Sequence, residues 1–200
     1  TLIITPFEEL VKRMDMTLEL RDKLMVIYKN AQRLLLLVNQ LMDLQKNQSG
    51  TMELQVTENN VYEFVTEIYC AFNQIAQTNE ITFTLDCRDR EFQAWYDKVL
   101  LEKVVFNLLS NAFKYTPSGK DIRMLVKCIP AGELEELYRK EVAPSALYMM
   151  LQVVDAGCGI PPQERDKVFT PFYRVPETAG VNVPGTGIGL SLGYSIVKLH

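Results

Sequence analysis

Four short blocks in the second half of the chain contain residue types that can bind a nucleotide. The first block, Asn107 to Tyr115, contributes two carboxamides, an ammonium group and a phenol. The other three are rich in glycine or aromatic residues and read Asp155-Ala-Gly-Cys-Gly-Ile160, Phe169-Thr-Pro-Phe-Tyr-Arg174 and Gly185-Thr-Gly-Ile-Gly-Leu190. Each block alone is a weak signal, but all four in this order are hard to produce by chance.

The first block places its polar groups along one line of a predicted helix. At about 100° per residue, Asn107, Asn111 and Lys114 fall within about 60° of one another, and Tyr115 lies beside them. Mg²⁺ takes oxygen ligands, and carboxamide oxygens provide these without adding negative charge beside a triphosphate. Lys114 supplies the positive charge that phosphates require. The alternative is an ordinary solvated polar face of a helix.

The second block follows an apolar strand, Leu151–Val154, and begins with Asp155. A carboxylate at a strand end can accept a hydrogen bond from the exocyclic amine of adenine, which would select adenine over guanine. Gly157 and Gly159 would let the backbone turn tightly and approach a flat base. The alternative is an ordinary Asp-x-Gly turn.

The fourth block leads into a helix, and backbone N–H groups at a helix start form an anion site. Its G-x-G-x-G pattern is neither the Rossmann fingerprint nor a P-loop. The segment between Arg174 and Gly185 contains two prolines and a glycine and predicts a mobile lid. Phe169 and Phe172 either anchor the base of this lid or belong to the core. Arg174 either reaches the γ-phosphate or lies on the surface.

The elements before these blocks predict a helical hairpin in the first ~47 residues. An a/d heptad seam runs through Leu20, Leu24, Ile27, Ala31, Leu34, Val38 and Leu41. A break at Asp15–Thr17 would fold two helices into an antiparallel hairpin, whose natural completion is a homodimeric four-helix bundle. The alternative is a single long helix packed on its own domain. Pro6 should kink the first helix unless it lies near the helix start.

After a break at Asn47–Gly50, the periodicity switches repeatedly between two and 3.6. A helix is expected over Val61–Ile75 with Ile75 on its apolar face, another from its cap Asp97 to Tyr115, and a third over Leu190–Leu199. Strands are expected at Met52–Val56, Ile81–Leu85, Phe92–Tyr96, Ile122–Cys128 and Leu147–Val153, with a loop or short helix over Pro130–Ser145. This order predicts an α/β sandwich with helices on one face of a mixed sheet.

The composition narrows the class of protein. A 48% apolar content supports a sizeable core, and a net charge of −4 argues against a nucleic-acid or anionic-membrane surface. The four cysteines show no C-x-x-C spacing, which fits reduced thiols in a cytosolic compartment. No apolar run approaches the ~20 residues that span a bilayer. A soluble piece is therefore expected, and its parent can still be membrane-anchored.

The four blocks resemble the N, G1, F and G2 boxes of sensor histidine kinases, members of the GHKL ATPase superfamily. The resemblance covers about residues 50–200, and residues 1–47 resemble the dimerisation and histidine-phosphotransfer hairpin of these kinases. Thr1–Leu10 is similar to the segment after the phosphoacceptor box in large hybrid sensor kinases. The resemblance implies an α+β protein: an N-terminal helical hairpin, then an α/β sandwich of the GHKL (Bergerat) type that binds ATP and Mg²⁺.

The resemblance also implies residue roles. Asn111 would bind Mg²⁺ with help from Asn107, and Asn107 and Lys114 would be the catalytic residues. Asp155 would hold the adenine amine. Lys114 and Tyr115 would lie at phosphate and ribose, and Gly157 and Gly159 would shape the base pocket. Gly185, Gly187 and Gly189 would form the phosphate turn. The full nucleotide-binding set would comprise Asn107, Asn111, Lys114, Tyr115, Asp155, Gly157, Gly159, Ile160, Arg174, Gly185, Thr186, Gly187, Gly189 and Leu190.

The position of Asn107 bears on the type of reaction. In hydrolysing relatives such as DNA gyrase B, a Glu stands four residues before the Mg-binding Asn and activates water. Asn107 cannot act as a general base, which favours transfer to a protein acceptor. The single histidine, His200, is not expected to accept the phosphoryl group. The acceptor is expected before Thr1, and closing strands are expected after His200, as in a piece of a longer protein.

The sequence therefore predicts a Mg-ATP-dependent protein-histidine kinase of a two-component system. Its expected partners are a second copy of the chain, through the hairpin, and a response-regulator receiver domain. Direct contact with nucleic acid or with a membrane is not expected. The piece would be the cytoplasmic portion of a parent anchored in the bacterial inner membrane. The alternatives are a GHKL-type ATP hydrolase, a pseudokinase scaffold and, more remotely, a protein-serine kinase of the mitochondrial type.

Overall fold

A computed structural model describes residues 17–130, 132, 147–176 and 185–200. The chain divides into two compact units between Met52 and Glu53. In the N-terminal unit, helix α1 spans Leu18–Gln48 and is capped by Thr17, whose hydroxyl accepts from the Leu20 N–H at 3.4 Å. The helix ends at the predicted break, where Gly50 has a left-handed φ of 67°. The predicted first helix, the Pro6 kink and the hairpin turn lie outside the described residues.

Helix α1 exposes its heptad seam. Five seam residues each expose between 41% and 63% of their surface: Leu20, Ile27, Leu34, Val38 and Leu41. Such an apolar stripe on a 31-residue helix offers a surface for packing against another helix. The homodimeric bundle remains a prediction.

The C-terminal unit contains the remaining elements. Its helices are α2 (Val61–Thr78), α3 (Lys98–Tyr115) and α4 (Gly189–Leu199), with short 3-10 turns at Pro162–Glu164 and Lys167–Phe169. Its strands are β1 (Thr57–Asn60), β2 (Thr82–Cys87), β3 (Gln93–Tyr96), β4 (Asp121–Pro130) and β5 (Leu147–Asp155). In the described part of the chain, no helix combines the length and apolarity needed to cross a membrane.

The larger sheet has the strand order β2-β4-β5, with β2 parallel to β4 and β4 antiparallel to β5. The predicted mixed sheet is confirmed. Helices α2 and α3 pack against each other and on this sheet, α2 beside β2 and α3 beside β5. Stacked and edge-to-face contacts join Phe72, Phe83, Phe106 and Phe113 at this junction, with ring centroids 5.1–5.5 Å apart. This core is the support on which α3 carries its polar face.

Two expectations were wrong in detail. The first strand is not Met52–Val56 but Thr57–Asn60, which pairs with β3 in a separate two-stranded sheet. Met52 and Leu54 are half-buried although no strand forms there. The apolar residues alternate in this segment because two of them are partly buried, and not because the backbone pairs in a sheet. In α2, Ile75 is 44% exposed and Ala76 is buried, because Ala76 continues the i, i+4 row from Phe72.

Candidate nucleotide-binding site

Helix α3 presents the residues of the first block on a well-anchored scaffold. Its buried side includes Leu101, Val105, Leu109 and Ala112, whereas Leu108 is half-buried. Asp97 caps the helix as predicted: one carboxylate oxygen accepts from the Leu100 N–H at 3.0 Å, and the other from the Gln55 N–H at 2.8 Å. The polar row is half-buried, and it comprises Asn107, Asn111 and Lys114.

The first and fourth blocks meet at Asn107. Its Nδ2 donates to the Gly189 carbonyl oxygen at 3.3 Å. A Cβ added to Gly189 would stand 3.0 Å from Asn107 Oδ1, so glycine permits this close approach. Because Gly189 is the first residue of α4, this contact fixes the start of α4 against the middle of α3.

A second contact between the same two blocks lies about two turns further along α3. A Cβ added to Gly185 would stand 2.8 Å from Lys114 Nζ. The same ammonium group lies 4.9 Å from the centroid of the Tyr115 ring, a cation–π distance. The cation therefore faces the glycine-rich turn, and the ring, 42% exposed, lies beside it.

The second block meets the end of α3 at Gly157. A Cβ on Gly157 would stand 2.7 Å from the Tyr115 carbonyl oxygen and 2.7 Å from Asp155 Oδ1. The Gly157 N–H donates to that carboxylate oxygen at 2.9 Å. The exposed Asp155 thus keeps its other oxygen for a further donor, while its side chain is held in one orientation.

The third block supports the fourth. A Cβ on Gly187, whose φ is 70°, would stand 2.6 Å from the Phe172 carbonyl carbon and 2.7 Å from the Tyr173 carbonyl oxygen. The Phe172 N–H donates to the Gly187 carbonyl oxygen at 2.9 Å. The left-handed φ and the lack of space both require glycine here.

The start of α4 has the properties of an anion site. The helix has no side-chain cap, so the N–H groups of its first turn are not satisfied by a capping side chain. Thr186 instead accepts from the Ile188 N–H at 3.2 Å, which orders the turn just before the helix. Leu190, the second helical residue, is half-buried.

The remaining candidate residues are Asn111, Gly159, Ile160 and Arg174. Asn111 lies half-buried one turn beyond Asn107 on α3. Gly159 has a left-handed φ of 69° with open space where a Cβ would stand, and Ile160 beside it is 41% exposed. Arg174 is exposed. The segment predicted to form a lid spans residues 175–184, and its residues 177–184 lie outside the described residues.

Sequence reasoning missed two features of the third block. Phe172 has a φ of 65°, which is rare for a bulky residue. The Tyr173 hydroxyl donates to the Glu164 carboxylate, a contact across nine positions. A single sequence gives no signal for either feature, because both involve contacts between separate segments: Phe172 with Gly187 and Tyr173 with Glu164.

The residues present fit a Mg-nucleotide. Two glycine turns leave no room for side chains at Gly157 and Gly187, and an ammonium group and an uncapped helix start face the turn after Gly185. Anionic phosphates match that positive end. The carboxamides of Asn107 and Asn111 are the uncharged oxygen donors that fit Mg²⁺ bound mainly through phosphates and water.

Comparison with known proteins agrees with this geometry. Residues 96–200, just over half of the chain, match the family of histidine kinase-, DNA gyrase B- and HSP90-like ATPases. The chain belongs to this family. All four blocks lie within the matched residues, and the predicted GHKL fold is confirmed.

Among curated relatives, the whole chain aligns with histidine kinases. It is 32% identical to histidine kinase P4 of Formosa agariphila and 31% identical to hybrid signal transduction histidine kinase D of Dictyostelium discoideum, each over all of the chain. The chain spans 14% and 12% of these two relatives. The predicted resemblance to a sensor histidine kinase core, including the hybrid type, is confirmed.

Solved structures of histidine kinases share the fold. Full-length ShkA in complex with AMPPNP matches 98% of the chain with a TM-score of 0.70 and 18% identity, and the chain covers 38% of it. Acinetobacter baumannii AdeS matches 99% of the chain with a TM-score of 0.64 and 18% identity, and the chain covers 83% of it.

Proposed function

We propose that this chain is the kinase core of a two-component sensor. It binds Mg-ATP between helix α3 and the glycine turns, and the γ-phosphoryl group passes to a histidine on the helical hairpin and then to an aspartate of a response-regulator receiver domain. In this proposal, residues 1–47 belong to the hairpin and residues 50–200 to the ATP-binding domain. The parent is anchored in the bacterial inner membrane with this portion in the cytoplasm.

The observation that carries the proposal is the side chain at position 107. Asn107 occupies the contact between α3 and α4, where its Nδ2 donates to the Gly189 carbonyl oxygen. A carboxamide cannot take a proton from water, so this position does not provide the general base that hydrolysis uses. Catalysis then depends on positioning and on charge, as in phosphoryl transfer generally.

The remaining residues act by binding and orienting the nucleotide. The carboxamide oxygen of Asn111, assisted by Asn107, would hold Mg²⁺. The Lys114 ammonium group would neutralise phosphate charge, and Tyr115 would lie at the ribose. Asp155 would accept from the adenine amine through the oxygen that Gly157 does not occupy. When bound, the nucleotide supplies the phosphoryl group and the metal neutralises its charge.

Two features support the proposed partners. The exposed apolar seam of α1 is suited to a homodimeric bundle with a second copy of the chain. For the receiver domain, a structural relative offers a precedent: histidine kinase ThkA has been solved in complex with response regulator protein TrrA, with a TM-score of 0.54 and 21% identity to this chain.

The proposal is tested in the parent protein with ATP labelled in the γ-phosphate. Label on the protein that survives base but not acid identifies phosphohistidine and supports the kinase. Label released as free phosphate supports the ATP hydrolase instead, and retained ATP without turnover supports a pseudokinase scaffold. Asn111→Ala should abolish Mg-dependent labelling. Ser110→Ala is the matched control, because Ser110 is exposed on the same helix outside the polar row.

A further inference from the structure

Glu164 and Tyr173 are joined at the edge of the candidate site. The Tyr173 hydroxyl donates to one oxygen of the Glu164 carboxylate, and Lys167 Nζ lies 3.4 Å from the other. The Glu164 side chain is only 14% exposed, whereas that of Lys167 is 55% exposed. The carboxylate is therefore sheltered on the side of Tyr173 and open on the side of Lys167.

Tyr173 follows the residue with the least favourable backbone conformation near the site. Phe172 has a φ of 65°, a backbone angle that residues other than Gly, Asn or Asp rarely adopt. Such a conformation persists only when its surroundings hold it in place. Two contacts surround it: the Phe172 N–H donates to the Gly187 carbonyl oxygen, and the Tyr173 hydroxyl donates to Glu164.

The backbone of Phe172 and Tyr173 is also the surface on which the glycine-rich turn rests. A Cβ on Gly187 would stand 2.6 Å from the Phe172 carbonyl carbon. Two residues later, the Gly189 carbonyl oxygen accepts from Asn107. A movement of Tyr173 would therefore shift Gly187, and with it the turn that faces Lys114.

We propose that Glu164 is a positioning residue for the phosphate-binding turn. Through Tyr173 it holds Phe172 in the left-handed conformation, and this conformation keeps Gly187 and the start of α4 in place against α3. The carboxylate acts through Tyr173 and does not itself contact the nucleotide. The consequence for phosphate binding rests on the proposed function, whereas the consequence for the Phe172 backbone does not.

The ionisation of Glu164 fits this role. The hydrogen bond from Tyr173 is the largest cause that lowers the pKa of Glu164, and Lys167 lowers it further. The carboxylate is then charged at neutral pH, and an ionised acceptor forms the stronger hydrogen bond with a phenol.

Binding experiments with Tyr173→Phe and Glu164→Ala test the effect on the nucleotide. Titration calorimetry would measure the affinity of the chain for Mg-ATP and for adenosine. The expected result is a loss of about tenfold for Mg-ATP with adenosine binding changed less than about twofold. The double variant should lose no more than either single variant, because both remove one hydrogen bond. Lys167→Met is the matched control and should bind both ligands as the wild type does.

Equal losses for Mg-ATP and adenosine, or additive losses in the double variant, would mean a general structural role and overturn the proposal. A second measurement, hydrogen exchange of the Phe172 amide in the nucleotide-free chain, needs no ligand. It should be about tenfold faster in Tyr173→Phe and Glu164→Ala than in Lys167→Met. Unchanged exchange overturns the positioning role. Faster exchange in a chain that does not bind ATP supports that role and rejects the proposed function.

Discussion

Lys114 and Gly185 approach so closely that a Cβ on Gly185 would stand 2.8 Å from the Lys114 ammonium nitrogen. The two residues come from blocks separated by two strands of the sheet, and only glycine leaves this space for the cation. The ammonium group is thereby directed at the turn that precedes α4, whose uncapped N-terminus also attracts anions. Two sources of positive potential converge at one place, and this convergence predicts where the phosphates lie.

Replacing Lys114 with Met should reduce affinity for triphosphates selectively. Met preserves the aliphatic stem but removes the charge, so the charge-assisted hydrogen bonds to phosphate are lost. We expect affinity for Mg-ATP to fall by about tenfold or more, with adenosine binding nearly unchanged. Titration calorimetry with the two ligands measures the difference.

Lys120→Met is the matched control for this experiment, since Lys120 is exposed outside the four blocks. It should leave both affinities unchanged. An equal loss of ATP and adenosine binding in Lys114→Met would contradict the placement of the phosphates at Gly185.

Gly187→Ala should disrupt the turn itself. The added methyl group would lie 2.6 Å from the backbone of Phe172, and a left-handed φ of 70° is also unfavourable for alanine. The φ penalty alone is about 1–2 kcal/mol. The collision adds to it because the nearest atoms belong to the backbone of Phe172 and Tyr173 and not to a flexible side chain. In urea unfolding, the free energy of unfolding should fall by more than this penalty, and Mg-ATP binding should be lost.

Gly119→Ala separates the two causes. Gly119 has a φ of 76° with nothing within 4 Å of an added Cβ, and it lies outside the four blocks. This variant should show the φ penalty without loss of nucleotide binding. If the two variants are equally stable, the close contact at Gly187 does not add to the cost of the alanine side chain there.

Much of this fold could be predicted because the relevant signals are local. Asp97 precedes an amphipathic helix, and a side-chain carboxylate there can accept from the first N–H groups of that helix. Strands β4 and β5 carry apolar residues at alternate positions, Ile122 to Cys128 and Leu147 to Val153, and this local pattern predicted both strands. The four blocks were grouped by chemistry, and the structure joins them through glycines that allow close approach, at Gly157, Gly187 and Gly189.

The remaining features depend on contacts between distant segments. Strand Thr57–Asn60 is polar and has no β-forming pattern, and its pairing with Gln93–Tyr96 comes from tertiary context. Within α3, Leu108 and Leu109 are both apolar, so the sequence did not distinguish the half-buried residue from the fully buried one.

Asp155→Asn should weaken binding of adenine nucleotides in particular. One carboxylate oxygen already accepts from the Gly157 N–H. In the variant, the amide oxygen would take that role and the NH₂ group would face the adenine amine, donor against donor. We expect affinity for ATP to fall by about tenfold or more, since a buried donor loses its acceptor. Competition between ATP and GTP measures the change in base selectivity.

The control for base selectivity is Asp121→Asn. The Asp121 side chain is exposed, and its backbone carbonyl, which accepts from the Ala156 N–H, is unchanged by the substitution. Selectivity should remain as in the wild type. A uniform loss of ATP and GTP binding in Asp155→Asn would instead place Asp155 in a structural role.

Asp97 should make stability depend on pH. Burial raises the pKa of Asp97. Hydrogen bonds from the backbone N–H groups of Leu100, Gln55 and Val99, together with the charge of His200, lower it by more than burial raises it. The net pKa of Asp97 therefore lies below its usual value. The pKa of an Asp side chain in an unfolded chain is about 3.9. The stabilisation is therefore fully present above that pH and is lost as pH falls through the lower folded-state pKa.

Asp97→Asn tests this assignment, because an amide has one acceptor oxygen where Asp97 uses two. Its NH₂ group would face the N–H of Gln55 or Leu100, and we expect a loss of about 1–3 kcal/mol at pH 7. In urea unfolding, the difference from the wild type should be constant above about pH 4 and shrink at lower pH, as the wild-type carboxylate becomes protonated. Asp89→Asn, at an exposed carboxylate that accepts from the Glu91 N–H, should show a smaller loss. If the difference in free energy of unfolding between Asp97→Asn and the wild type is the same at pH 7 and pH 2, ionised Asp97 is not the stabilising form. Asp97 would then stabilise the helix only through its hydrogen-bonding geometry as a cap.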